Sequence, residues 1–176
     1  MLIRPIQKKD GGGEFTCGVA ALDSYLSKQA WTHDSRGIAR VYVLTDESTP
    51  AVIHGYYSLA SRDLERERLR ETLPGSAYPN RNLPVFYIGY FAVAKDQQGQ
   101  GLGRQLLGDA LGRCVEAQKL VGAVGIYLDS YDEASTRFYA VLGFEPIPGP
   151  AGVDAPYPQP MFLAMNTLLA VGPAGA

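Results

Sequence analysis

The stretch Tyr90-Phe91-Ala92-Val93-Ala94-Lys95-Asp96-Gln97-Gln98-Gly99-Gln100-Gly101-Leu102-Gly103-Arg104 constrains the fold most, because strand-type residues run through a glycine-rich turn straight into a helix. Gly99, Gly101 and Gly103 lack a Cβ, so the turn can take unusual dihedrals and a ligand can approach its backbone closely. Leu102, Leu106, Leu107, Ala110, Leu111 and Val115 recur at helical spacing, so the first N–H groups of that helix point back into the turn. Successive free amides and the positive end of the helix dipole can hold a diphosphate without any basic side chain. No Gly-Lys-Ser/Thr follows the glycines, which excludes a P-loop, and their spacing of two excludes the dinucleotide fingerprint. On the glycines alone, a structural turn and a phosphate cradle stay equally open.

Two further features bear on that choice. Gln98-Gly99-Gln100-Gly101-Leu102-Gly103 resembles the Gln/Arg-x-x-Gly-x-Gly/Ala signature of the GNAT N-acetyltransferase superfamily, whose turn binds the diphosphate of acetyl-coenzyme A. About thirty residues on, Ala134-Ser135-Thr136-Arg137-Phe138-Tyr139-Ala140-Val141-Leu142-Gly143-Phe144 resembles that family's second landmark, a short helix running into Phe-Tyr-x-x-x-Gly-Phe. The resemblance is strongest from about Tyr87 to Phe144.

The rest of the composition is compatible with such an enzyme. At 176 residues the chain has the size of one domain, expected to span 1–176 with a loose tail from about 168. Hydrophobic content of 46% against 19% charged residues reads as globular. A net charge of −2 gives no global pull toward nucleic acid or an anionic membrane. Cys17 and Cys114 match no metal spacing and read as buried free thiols. Lys8, Lys9 and Asp10 interrupt any signal-peptide core, and no apolar run is long enough to cross a bilayer, so a cytoplasmic location is expected.

Val19, Leu22, Tyr25, Leu26 and Ala30 give a first amphipathic helix closed by Trp31. Val41 to Leu44 and Val52 to Leu59 read as a hairpin. Arg62 to Thr72 is helix-compatible and stopped by Pro74-Gly75, and Val85 to Val93 is the strand feeding the glycine turn. A helix to about Gln118, a strand at Ile126 to Leu128, a helix from Glu133 to Val141 and a strand from Met161 to Met165 complete an α/β plan with helices on both faces of a mixed sheet. The resemblance implies the GNAT form of that plan, a mostly antiparallel central sheet splayed at the cofactor site.

The amino half carries a narrower resemblance. Phe15-Thr16-Cys17-Gly18, Leu22 to Leu26, Ala30 and Gly37-Ile38-Ala39-Arg40-Val41-Tyr42-Val43 are similar to the opening of the acetyltransferase toxins, and Gly55-Tyr56-Tyr57-Ser58-Leu59 fits that group's third strand. Those toxins acetylate the amino acid on charged tRNA and are paired with a ribbon-helix-helix antitoxin. The partners so implied are charged tRNA, that antitoxin and a second copy of the chain in a homodimer, with no membrane among them.

Acetyl transfer to an amine needs an unprotonated nucleophile, a polarised thioester carbonyl and a proton for the departing thiolate. The resemblance implies that Tyr139 supplies the proton, whereas packing alone would also account for an aromatic residue on that helix. It further implies that the backbone of Phe91, Ala92 and Val93 holds the pantetheine arm, that Gln98, Gly99, Gln100, Gly101, Leu102, Gly103 and Arg104 cradle the diphosphate, and that Ser135 and Phe138 line the coenzyme. Ser135 reads equally as a helix-start residue. No metal is implied. His33 and His54 are the only histidines, and neither stands out as a general base. An esterified α-amino group is partly neutral at cellular pH and needs no strong base.

A tRNA substrate calls for basic surface. Arg62, Arg66, Arg68 and Arg70 instead alternate with Asp63, Glu65, Glu67 and Glu71, the pattern of a salt-bridged face. Arg36 and Arg40, with Arg81, Arg104 and Arg113, are candidates to cluster in space and meet RNA. Small-molecule amines or protein amino groups stay open as alternative acceptors, as does a non-catalytic sensor of acetyl-coenzyme A.

Overall fold

The structure is a computed structural model that describes residues 1–12, 14–73, 81–150 and 156–171. Among the described residues, seven strands hydrogen-bond in the order β1-β2-β3-β4-β5-β7-β6 in one sheet of an α/β fold. They are β1 (Leu2–Pro5), β2 (Arg40–Thr45), β3 (Ile53–Glu65), β4 (Asn82–Val93), β5 (Gly125–Ser130), β6 (Glu145–Pro146) and β7 (Gln159–Ala164). The helices are α1 (Ala20–Lys28), α2 (Ala30–Ser35), α3 (Leu102–Gln118), α4 (Glu133–Val141) and α5 (Met165–Val171). The chain forms two compact units, residues 1–60 with 88–111 and residues 61–87 with 112–176.

In the first unit β2 lies antiparallel between β1 and β3, with Leu2 opposite Thr45 and Val41 opposite Ser58. Alternation along β2 and β3 sorts side chains onto two faces. Val41, Val43 and Tyr56 join Tyr25, Leu26 and Ala30 of α1 and α2 in one core. The opposite face presents Tyr42, stacked on Tyr57 at 5.2 Å, and the Tyr57 hydroxyl donates to Asp109 of α3. Helices therefore cover both faces of this unit. In the second unit β7 lies antiparallel between β5 and β6, with Ile126 opposite Leu163 and Glu145 opposite Phe162. Leu64, Leu69, Leu83, Val85, Tyr127, Ile147 and Phe162 form its core.

Three expectations need correction. Arg62 to Thr72 is not a helix: its first residues continue β3 to Glu65, and Arg66–Leu69 is a single 3-10 turn. Leu64 and Leu69 are its buried residues and sit five apart, so the stretch has no helical apolar stripe to bury. Pro74 and Gly75, expected to stop it, lie outside the described residues. The first helix does not close at Trp31. It breaks at Gln29 and resumes as α2, which ends where the Gly37 amide donates to Asp34 O at 3.0 Å. Residues 168–171, expected to begin a tail, complete α5, and Leu168 is buried.

Gly55 sets how closely α3 approaches the sheet. A Cβ built there would stand 2.6 Å from Leu106 Cδ1 and 2.9 Å from Ala92 O. A Gly55→Ala variant must push the helix or the neighbouring strand away, an overpacking cost of about 1–3 kcal/mol. Urea unfolding followed by circular dichroism should show a lower midpoint by that amount; an unchanged midpoint would mean that α3 shifts freely.

Candidate active site

The turn from β4 to α3 is set by two glycines in the left-handed region, Gly99 at φ +76° and Gly101 at φ +84°. A Cβ at either would meet nothing within 4 Å, so glycine is required by the dihedral and not by crowding. Gly103, by contrast, lies inside α3 with ordinary φ. The Gln105 amide donates to Gly101 O at 3.2 Å. Among the described residues, no backbone acceptor pairs with the amides of residues 98–104. These are the free donors of a helix start, concentrated in a turn with open space above its glycines. That arrangement fits a diphosphate.

The Gln98 carboxamide is engaged inward, donating to Cys17 O at 3.0 Å and Val93 O at 3.1 Å, and Gln100 donates to Asp96 O at 3.1 Å. Gln98 therefore has both carboxamide N–H groups engaged and leaves its backbone amide for a ligand. Leu102 is half-buried at the helix start and Arg104 is exposed. Phe91 and Val93 of β4 are half-buried and flank the buried Ala92.

Tyr139 belongs to the second unit and is buried in α4, 6% exposed, with edge contacts to Phe138 at 5.2 Å and Phe144 at 5.9 Å. Burial, reinforced by the charge of Asp132 and by Tyr131, pushes its hydroxyl well above the usual phenol range. The group holds its proton at any physiological pH, the state that a proton donor needs. Ser135 serves the helix: Asp132 Oδ1 accepts its amide at 2.7 Å and its hydroxyl oxygen accepts the Asp132 amide at 3.2 Å, a capping box that starts α4. The sequence analysis missed Asp132, although Asp132-Glu133-Ala134-Ser135 carries the signal. Asp23 was also missed; it accepts the Cys17 amide at 2.8 Å and the Thr16 hydroxyl at 2.9 Å.

Arg36 and Arg40 are exposed at the end of α2 and the start of β2, and Arg40 faces Asp34 at 3.8 Å. Arg104 shares their unit, whereas Arg81 and Arg113 belong to the other. The alternating charges of residues 62–71, which begin within β3, do not form one salt-bridged row among the described residues. Arg70 pairs with Glu67 at 2.9 Å, but Arg62 lies 5.0 Å from the centre of the Tyr87 ring, and Arg68 lies 5.7 Å from that of Tyr127. His54 pairs with Asp46 at 3.0 Å, and His33 packs edge-on to Tyr25. Among the described residues no cluster of His, Cys, Asp or Glu could hold a metal ion, and no helix is long and apolar enough to cross a membrane.

Comparison with known proteins extends this geometry. The family model of the acetyltransferase (GNAT) domain matches residues 37–146. A tRNA-acetylating toxin of Mycobacterium tuberculosis is 32% identical over 146 residues, 81% of this chain and 82% of that protein. Among solved structures, a tyrosine-to-phenylalanine mutant of KacT superposes with a TM-score of 0.83 at 25% identity, covering 97% of this chain and 98% of that one. AtaTR bound with acetyl-coenzyme A gives a TM-score of 0.77 at 25% identity, covering 97% of this chain and 96% of that one.

Both thiols are free and buried. Burial, with a bond to Asp23, raises Cys17 from 9.0 to about 11, and burial raises Cys114 to about 12. A raised thiol pKa favours folding below the unfolded value and loses that contribution as pH climbs. Unfolding free energy should therefore fall as pH rises from 9 through 11, the span over which the unfolded Cys17 thiol ionises before the folded one. A disulfide-exchange reagent at neutral pH should label both thiols only after denaturation; rapid labelling of the native protein would contradict the burial.

Proposed function

Because the chain belongs to the GNAT acetyltransferase family, we propose that it moves an acetyl group from acetyl-coenzyme A to the α-amino group of an aminoacyl-tRNA, as a cytoplasmic toxin restrained by a ribbon-helix-helix antitoxin. One observation carries the coenzyme half of this reading, namely the unpartnered amides of residues 98–104 beneath two left-handed glycines. The acceptor half is supported by the mycobacterial relative, which aligns over most of both chains.

When bound, acetyl-coenzyme A supplies the acetyl group as an activated thioester and leaves as a thiol. The chain's own part is to bind, orient and hold a proton. The turn amides would receive the two phosphates, and the helix dipole of α3 adds a fixed positive potential at that end. The backbone of Phe91, Ala92 and Val93, which precedes this turn along the chain, would hold the pantetheine arm, and Phe138 would offer the coenzyme an apolar surface. Tyr139 Oη, which holds its proton at physiological pH, would be the group that supplies a proton to the departing thiolate. No strong base is required: the ester lowers the α-amino pKa below the ordinary value of about 8, and a neutral fraction is present without help. Arg36 and Arg40 are exposed cations of the first unit that meet RNA phosphates.

The test is transfer of labelled acetyl to a pool of charged tRNAs, run beside uncharged tRNA, free amino acids, polyamines and peptides. Label should appear on charged tRNA alone. Tyr139→Phe keeps the ring packing and removes the proton, so turnover should fall about 10²–10⁴-fold, while calorimetry shows acetyl-coenzyme A binding retained. Label on free amines or peptides would leave the transferase and discard the tRNA acceptor. Full activity of the phenylalanine variant would remove Tyr139 from the chemistry.

A further inference from the structure

The open surroundings of Gly99 and Gly101 raise a physical problem. Nothing packs where their Cβ atoms would be, and glycine has the widest backbone freedom of any residue, so neighbouring side chains do not fix the orientation of the turn's amides. The constraint comes from the amino-terminal side of the first unit. Residues 14–17 have no regular secondary structure, yet Thr16 and Cys17 are bonded on both sides. Their carbonyls face the turn: Thr16 O accepts the Lys95 amide at 2.8 Å, and Cys17 O accepts Gln98 Nε2 at 3.0 Å. The same Gln98 nitrogen donates to Val93 O, so one carboxamide joins the end of β4, the turn and the opening segment. Their donors face α1: Asp23 Oδ1 takes the Cys17 amide at 2.8 Å, and Oδ2 takes the Thr16 hydroxyl at 2.9 Å. A single carboxylate in the first turn of α1 thus holds two consecutive residues whose carbonyls hold the coenzyme turn, through charge-assisted bonds that exceed neutral ones in strength.

We propose that Asp23 is a positioning residue for the coenzyme turn, acting through Thr16, Cys17 and Gln98 to hold the amides of residues 98–104 in the orientation that receives a diphosphate. This rests on the reading of the turn given above, and it assigns a role to Phe15-Thr16-Cys17-Gly18, whose pattern that reading leaves without a task. Charge alone predicts the reverse. Asp23 is an anion in the same unit as an anion-binding turn, and its removal would tighten the coenzyme by Coulomb's law. Positioning requires its removal to weaken the coenzyme.

The experiment measures acetyl-coenzyme A affinity by calorimetry and backbone hydrogen exchange in the coenzyme-free protein, for wild type, Asp23→Ala, Asp23→Asn and Gln98→Leu. Asp23→Ala and Gln98→Leu should each raise the Kd about tenfold, the effect of one lost charge-assisted bond at Asp23 and of two lost neutral bonds at Gln98, and should speed exchange of the amides at 94–104 selectively. Asp23→Asn keeps an oxygen for the Cys17 amide and a donor for the Thr16 hydroxyl, and should restore most of the affinity. Turnover of Asp23→Ala with acetylpantetheine, which lacks the diphosphate, should match wild type. An unchanged or lower Kd in Asp23→Ala overturns the proposal, as does an equal loss with acetylpantetheine or faster exchange spread over the whole unit. If Asp23→Ala does not fold, Gln98→Leu decides by the same Kd and exchange criteria. Wild-type protein that does not bind acetyl-coenzyme A would sink the underlying reading, whereas normal wild-type binding with Asp23→Ala unaffected would sink the positioning role alone.

Discussion

The contact of α3 with the sheet at Gly55 is the constraint from which the first unit's geometry follows. A strand residue, the Ala92 carbonyl and the Leu106 side chain meet where no methyl group fits. Leu106, Leu107, Ala110 and Leu111 are fully buried along the same helix, and each buried leucine contributes about 2 kcal/mol through the area it removes from water. With α3 pinned to the sheet and β4 ending at Val93, the connection between them is short. It has to turn sharply, and left-handed glycines are the residues that do so without strain. The unpartnered amides lie in that turn, since the first N–H groups of a helix have no carbonyl of the same helix one turn earlier to pair with.

Free amides bind an anion well only if they are held still. Asp23, Thr16, Cys17 and Gln98 form a continuous run of hydrogen bonds from α1 to the turn. Burial works against ionisation of Asp23, but the Cys17 and Thr16 donors outweigh it and hold the carboxyl below its usual range. The same carboxylate helps to raise the Cys17 thiol, which keeps that sulfur protonated and unreactive.

The second unit arranges its chemistry differently. Asp132 starts α4 by capping it, a contribution of about 1 kcal/mol, and fixes the helix end from which Tyr139 follows about two turns later. Burial among Phe138 and Phe144 then makes the phenol a group that holds its proton firmly. The aromatic neighbours that a packing argument would cite are thus also what sets its protonation state. In the same unit, Arg62 and Arg68 lie over tyrosine rings, which the alternation of charge in the sequence does not reveal.

The sequence by itself determined the strand, turn and helix around Gly99 and Gly101, the second signature helix from Glu133 to Val141, the hairpin of β2 and β3 and the burial of both cysteines. Each depends on local pattern: glycine where φ must be positive, apolar residues at helical or alternate spacing, a motif of fixed length. The same pattern misled at Arg62 to Thr72, where charges compatible with a helix stand on a strand that the sheet extends, and at Trp31, where α1 and α2 meet at Gln29. Tertiary structure alone decided that Gln98 faces Cys17, that Asp23 holds the opening segment and that Ser135 is committed to a cap. The physical reason is separation along the chain. Gln98 and Cys17 stand 81 residues apart, and a hydrogen bond between them exists only because packing at Gly55 and along α1 brings their segments together.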